Sequence, residues 1–335
     1  MVLYAVHLFD VDPDLRMSVA QACLVFFALS TFFYFLISWV KDHATLEGII
    51  RVMAIACIVQ AVLSFFSYYY YVGIKGEKVY SFSGFLRDYE LFAEYLAIHV
   101  PLLLFVIRNE ADARAKKFFI AGLLLVLFVL IATAIRGALI SLVVGMAYYF
   151  INIRKISNLA NALKTAFFGI VGLAAALFAV YHLIPQSARI IERFLITDLS
   201  TLDSRRDVWL QFFNEFPKNP LLGQGMFYDA LSSGLFWPHS TYFYYLLTLG
   251  SFGLANYLFL LFGILRRGFE NARINCRIPR QFDCAVALNA ALLIFIVDGF
   301  KVDYQRYSNY QIIIWMLFAL VVAMNHLKFK TEPER

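Results

Sequence analysis

A chain of 335 residues that is 61% hydrophobic and 16% charged is not a soluble domain, since such domains carry about 25% charged residues; it reads as a membrane protein. The formal net charge of +6 does not point to nucleic acid, because Lys and Arg sit mostly in short loops, where they set topology. Cys23, Cys57, Cys276 and Cys284 show neither a CxxC nor a Cys/His ligand spacing, so no disulfide framework and no metal site is expected.

Met1 to Arg16 is mixed and acidic and does not read as a cleavable signal peptide. A span needs about 20 apolar residues. The first runs from Met17 to Val40 and the second from Ile49 to Val72, with Arg51 near its entry. A polar loop, Gly73 to Asp88, leads to a third span, Leu91 to Ile107, which contains Glu94, His99 and Pro101. Phe118 to Ile151 is apolar throughout except Arg136. As one helix it would reach roughly 50 Å at about 1.5 Å per residue, too long for one crossing. Its flanks, Lys116-Lys117 and Arg154-Lys155, are both basic and so lie on the same, cytoplasmic side. The chain must therefore turn in the middle. Arg136-Gly137 is the available break, which puts Arg136 at an extracytoplasmic tip.

Thr165 to Ile184 is the next span, and Pro185 ends it. After a long loop, 186–238, come His239 to Leu265, Phe282 to Val297 and Tyr310 to Leu327. The expected fold is all-α: a polytopic integral membrane helical bundle of about nine spans. It is read as a single membrane domain over 1–335, with 186–238 an extracytoplasmic loop carrying short helices. The loops Arg108 to Lys117, Asn152 to Lys164 and Arg266 to Arg280, and the tail from Lys328, are basic and hence cytoplasmic. The N-terminus, with Asp10, Asp12 and Asp14, falls outside. An odd span count with that end outside is expected of a shortened relative of a longer chain.

Arg136 is the sole charge in an apolar hairpin, and intramembrane charges cost roughly 2.5–3.5 kcal/mol on insertion scales and are usually functional. The alternative is a surface residue that marks the turn. Ser204 can cap a helix in which Arg205, Val208, Trp209, Phe212 and Phe216 recur at helical spacing and which Pro217 closes. Arg205 then sits on the apolar side, in a first turn whose dipole disfavours a cation. An anionic partner explains that placement; a snorkelling interfacial arginine explains it equally. His239 opens a mostly apolar helix after Trp237-Pro238. A helix N-terminus favours the neutral imidazole that a general base requires, although an interfacial capping histidine is the simpler reading of an isolated one. Gly223-Gln224-Gly225 marks a sharp turn or a close backbone approach. Arg87, Asp88, Glu90 and Glu94 are expected on a solvated face, the alternative being that they pair with the arginines or bind acceptor hydroxyls, and Asp298, Lys301, Asp303 and Arg306 are expected in another outer loop. His99 beside Pro101 reads as a core histidine at a kink.

The ordered set resembles the O-antigen ligase and O-antigen polymerase superfamily of bacterial envelopes. The residues that carry the resemblance are Ala134-Ile135-Arg136-Gly137-Ala138, Ser204-Arg205-Arg206-Asp207-Val208-Trp209 and Pro220-Leu221-Leu222-Gly223-Gln224-Gly225. His239 follows, with its helix reaching Leu249-Gly250-Ser251-Phe252-Gly253. Phe85 to Ala97, with Arg87, looks like the segment that enters the family's core. Ser240 stands where the family often has Asn, and relatives usually have more spans, which would lie before Met1. The resemblance implies transfer of a glycan from an undecaprenyl-pyrophosphate carrier to a glycan or lipid-linked sugar acceptor. The site would face the extracytoplasmic side of the bacterial inner membrane. It implies Arg136, Arg205, Arg206 and Arg87 on the substrate and His239 as base; no paired carboxylates or metal ligands are evident in the sequence, so a metal-independent inverting displacement without a cofactor is expected. A transporter or flippase for an anionic lipid or solute is the alternative; no internal repeat of the kind transporters show stands out.

Overall fold

The computed structural model describes residues 13–75, 82, 88–153, 206, 208–210, 212–225, 240–302 and 308–327. Its long helices are α1 (Pro13–Trp39), α2 (His43–Tyr69), α3 (Tyr89–Asn109), α4 (Ala113–Ala132), α5 (Arg136–Ile153), α6 (Thr241–Ile274), α7 (Pro279–Asp298) and α8 (Ser308–Leu327). Among the described residues, seven of these are long and apolar enough to cross a membrane, and α1 adds a shorter apolar stretch, Cys23–Trp39. Each of the spans expected up to 151 and from 239 onward has its helix. The expected span Thr165 to Ile184 lies outside the described residues.

Helix starts follow from short acidic caps. Asp42 accepts from Thr45 N at 2.7 Å ahead of α2, and this backbone bond holds its carboxyl below the usual carboxylate range. Asp88 accepts from Glu90 N and Leu91 N at 2.8 and 3.0 Å ahead of α3. Asp112 does the same for α4, from Ala115 N at 3.0 Å.

α3 and α7 form the centre, and α2, α4, α5, α6 and α8 pack around them. Their sequences say why. From Leu91 to Val106 nearly every α3 residue is buried, and α7 offers Ala285, Ala287, Ala290 and Ala291 for close approach. The outer helices keep large apolar faces toward lipid, such as Phe259 and Phe262 on α6, which are 78% and 63% exposed. Side-chain amides join spans where no water competes: Asn271 donates to the Val321 carbonyl at 2.8 Å, and Asn289 to Tyr148 Oη at 3.1 Å.

The long apolar run does break into a hairpin, α4–α5, but two residues before Arg136-Gly137. Thr133 and Ala134 make the turn, with Ala134 in the left-handed region at φ 58°. Thr133 N bonds the Val129 carbonyl at 3.0 Å, and Ala134 N the Ile131 carbonyl at 3.0 Å. Arg136 therefore opens α5 rather than sitting in the turn.

Candidate functional site

At the hairpin tip Ala134, Ile135 and Ala138 are buried, and Arg136 and Gly137 are half-buried. The first turn of a helix carries N–H groups and a positive dipole end. Arg136 and the start of α5 together favour an anionic oxygen, as helix N-termini do for phosphates.

The turn after α7 meets this tip. A methyl group on Gly137 would overlap the Cδ, Cε and Nζ atoms of Lys301, so the lysine stem lies directly across that glycine. The same turn holds the start of α6. Thr241 N donates to the carbonyls of Gly299 and Val302, both at 3.0 Å, Thr241 Oγ1 donates to Val302 O at 2.7 Å, and Ser240 Oγ donates to Gly299 O at 3.3 Å. Two segments far apart in sequence, at 136–137 and 240–241, thus share one support, 298–302.

α6 is not one continuous helix. Gly250 has φ 67° and ψ −169°, which splits it into 241–249 and 251–274. The break should strand the carbonyls of Leu247 and Thr248 and the N–H groups of Ser251 and Phe252. All four are taken by the loop at 220–225. Gln224 N bonds Leu247 O at 2.7 Å and Gly225 N bonds Thr248 O at 3.0 Å; Ser251 N bonds Pro220 O at 2.9 Å and Phe252 N bonds Leu221 O at 3.3 Å. Irregular backbone in a span is tolerated when protein groups satisfy it in this way. The approach is so close that a Cβ on Gly223 would strike the backbone of Thr248 to Gly250, and one on Gly250 the backbone of Leu221 and Gly223. Gly223-Gln224-Gly225 is therefore a backbone clasp on a broken helix, as the close-approach reading of its glycines anticipated.

The loop helix rests on the first half of α6. Phe212 is buried with Leu247, and Val208, Phe216, Phe243 and Leu246 pack against them. The phenyl rings of Phe212 and Phe243 lie 4.9 Å apart. This is the apolar stripe expected from the 208, 212, 216 spacing, and Gln224 Nε2 ties its end by donating to the Glu215 carbonyl at 2.8 Å. Arg206 is exposed. Arg87, Arg205 and His239 lie outside the described residues.

The expectation of a solvated acidic face fails at Glu94. Its side chain is fully buried, because α3 is enclosed on all sides one turn below its start. Asp298 is also buried, at 2% exposure, rather than in an open loop. Asp298, Lys301 and Tyr310 lie against Glu94, so the fold makes a carboxylate pair where the sequence shows none. The signal was available in part: an acid inside an apolar run is costly and marks a functional candidate. Its partner, from a distant loop, could not be read from spacing. His99 is buried with Nδ1 at 2.6 Å from the Tyr95 carbonyl, a core position as expected.

Fold and site define a polytopic helical membrane protein in which the 220–225 loop is stitched into a broken span. A family model described as O-Antigen ligase matches residues 121–258, which is 138 of the 335 residues, so this part of the chain is similar to the superfamily that the ordered motifs resemble. The matched stretch takes in the Arg136 hairpin, the clasp and the Gly250 break; Glu94, Asp298 and Lys301 fall outside it. No curated protein matches the chain.

Proposed function

We propose that the protein moves a glycan from an undecaprenyl-pyrophosphate carrier to the hydroxyl of a glycan or lipid-linked sugar, at the extracytoplasmic face of a bacterial inner membrane. The hydroxyl oxygen attacks the anomeric carbon, and the bond from that carbon to the diphosphate oxygen breaks. The diphosphate leaves with the electron pair. His239 takes the hydroxyl proton, and Arg136, with Arg205, Arg206 and Arg87, neutralises the leaving group. The observation that carries this reading is the 298–302 turn, which touches both the Arg136-Gly137 tip and Ser240, the residue after His239.

A broken span is also a transporter feature, where freed backbone groups coordinate cargo. In α6 those groups are already bonded to the 220–225 loop, which leaves that feature serving the fold.

Transfer from a purified polyprenyl-pyrophosphate glycan, with carrier binding measured in parallel, tests the proposal. His239→Ala is expected to slow transfer about 10²–10⁴-fold, the usual range for loss of a general base, with carrier binding retained. Arg136→Ala should weaken both, and Arg136→Lys should be damaging too because it lacks the bidentate fork. Full turnover by His239→Ala would remove the histidine from the mechanism.

A further inference from the structure

The constellation at the outer end of α3 and α7 is not used by the scheme above. Glu94 and Asp298 bring two buried carboxyls together beside the Tyr310 hydroxyl, and none of their oxygens makes a well-formed hydrogen bond among the described residues. The nearby countercharge is Lys301, whose Nζ lies 3.7 Å from Asp298 Oδ1 and also faces Glu94. The ammonium is itself enclosed and has no hydrogen-bond partner among the described residues.

Such a cluster is a poor way to stabilise a fold. Burying charge without well-made hydrogen bonds is costly, and apolar replacements of similar volume are often as stable or more so. An ionisable group kept inside a membrane protein points instead to a task. Being closed over, Lys301 cannot itself reach a ligand. What it does reach is Gly137: Cδ, Cε and Nζ all lie where a methyl on that glycine would go. Gly137 follows Arg136 directly in the first turn of α5, next to a turn already bent through the left-handed Ala134.

We propose that Glu94, Asp298 and Lys301 are positioning residues for a phosphate site at this tip. The two carboxyls hold the lysine ammonium. The lysine stem clamps the backbone at Gly137 and keeps Arg136 aimed at the diphosphate of a polyprenyl-linked donor. The clamp rests on the reading of Arg136 as the diphosphate ligand, and it acts through that arginine.

The test uses the full chain in nanodiscs, with donor KM and kcat and the binding of undecaprenyl pyrophosphate as readouts. Gly137→Ala displaces only the flexible end of Lys301 and leaves every charge in place. The combined variant Glu94→Gln, Asp298→Asn, Lys301→Met removes the cluster at similar shape. Both are expected to raise donor KM and weaken pyrophosphate binding by at least about 10-fold, within the roughly 100-fold that an ångström of misplacement can cost. The combined variant should melt no lower than the parent. In an Arg136→Ala background, Gly137→Ala should add no further loss, since a residue acting through Arg136 has nothing left to position. An unchanged donor KM in folded Gly137→Ala, or losses that simply add to those of Arg136→Ala, would overturn the clamp. Should the combined variant not fold, Gly137→Ala decides alone. If Arg136→Ala leaves donor KM untouched, the diphosphate reading fails and the clamp with it; if Arg136→Ala raises KM and Gly137→Ala does not, the clamp alone fails.

Discussion

Gly250 and Gly223 face each other backbone to backbone, and neither has room for a methyl group. The obstacle in each case is main chain, which cannot swing aside as a side chain can. Gly250→Ala would also force an alanine into a backbone region that is essentially glycine-only, φ 67° with ψ −169°, a cost of about 1–3 kcal/mol before any overlap is counted. The expected outcome is a lowered melting temperature and reduced transfer, because the loop that rests on the first half of α6 loses its seat. A variant that melts with the parent would show that the 220–225 segment is not clasped to the broken helix. The glycines' need for close approach was legible in Gly223-Gln224-Gly225. Its partner at Gly250 was not, because a single Gly in an apolar helical run reads as tolerated.

Among the elements, α3, α5 and α7 are joined at the end opposite Arg136 by one buried acid. Asp283 accepts from Tyr149 Oη at 2.8 Å, from Asn109 Nδ2 at 3.0 Å and from Arg108 Nε at 3.1 Å. Asp283→Ala would leave these donors without their acceptor, at about 1–3 kcal/mol for each buried group left unsatisfied. The expected result is a lower melting temperature with donor KM unchanged, read in the same assay that tests Arg136. A shifted KM would mean that the two ends of the bundle are coupled. Apolar length and basic flanks were enough to foresee the α4–α5 hairpin. The exact turn was not foreseen, because Thr133, Ala134 and Ile135 are all compatible with a helix and only packing bends the chain there.

Among the described residues, the segments read as outer that can be placed gather at one end and those read as inner at the other. The hairpin tip, the 298–302 turn and the start of α6 meet at one end. At the other, Arg51 pairs with Glu110 at 2.8 Å, and Arg280 Nε bonds Glu47 at 2.8 Å. This sorting agrees with the Lys/Arg bias of the short loops. Ser232→Cys is therefore expected to react with an impermeant thiol reagent added from outside, and Lys328→Cys to be protected. Labelling of Lys328→Cys from outside would invert the orientation and move the Arg136 tip to the cytoplasmic side.

Hydropathy and charge asymmetry determined the helical membrane fold, the order of the described spans and the place of Arg136 in an apolar hairpin, because a bilayer penalises polar backbone and charge wherever they occur along a chain. Those are properties of a segment and need no neighbour. The tertiary structure alone decided which distant groups meet: Glu94 with Asp298 and Lys301, Gly137 with Lys301, and the 220–225 loop with the gap in α6. Each of these pairings satisfies or encloses a group that its own segment leaves exposed, and spacing along one segment carries no record of the partner.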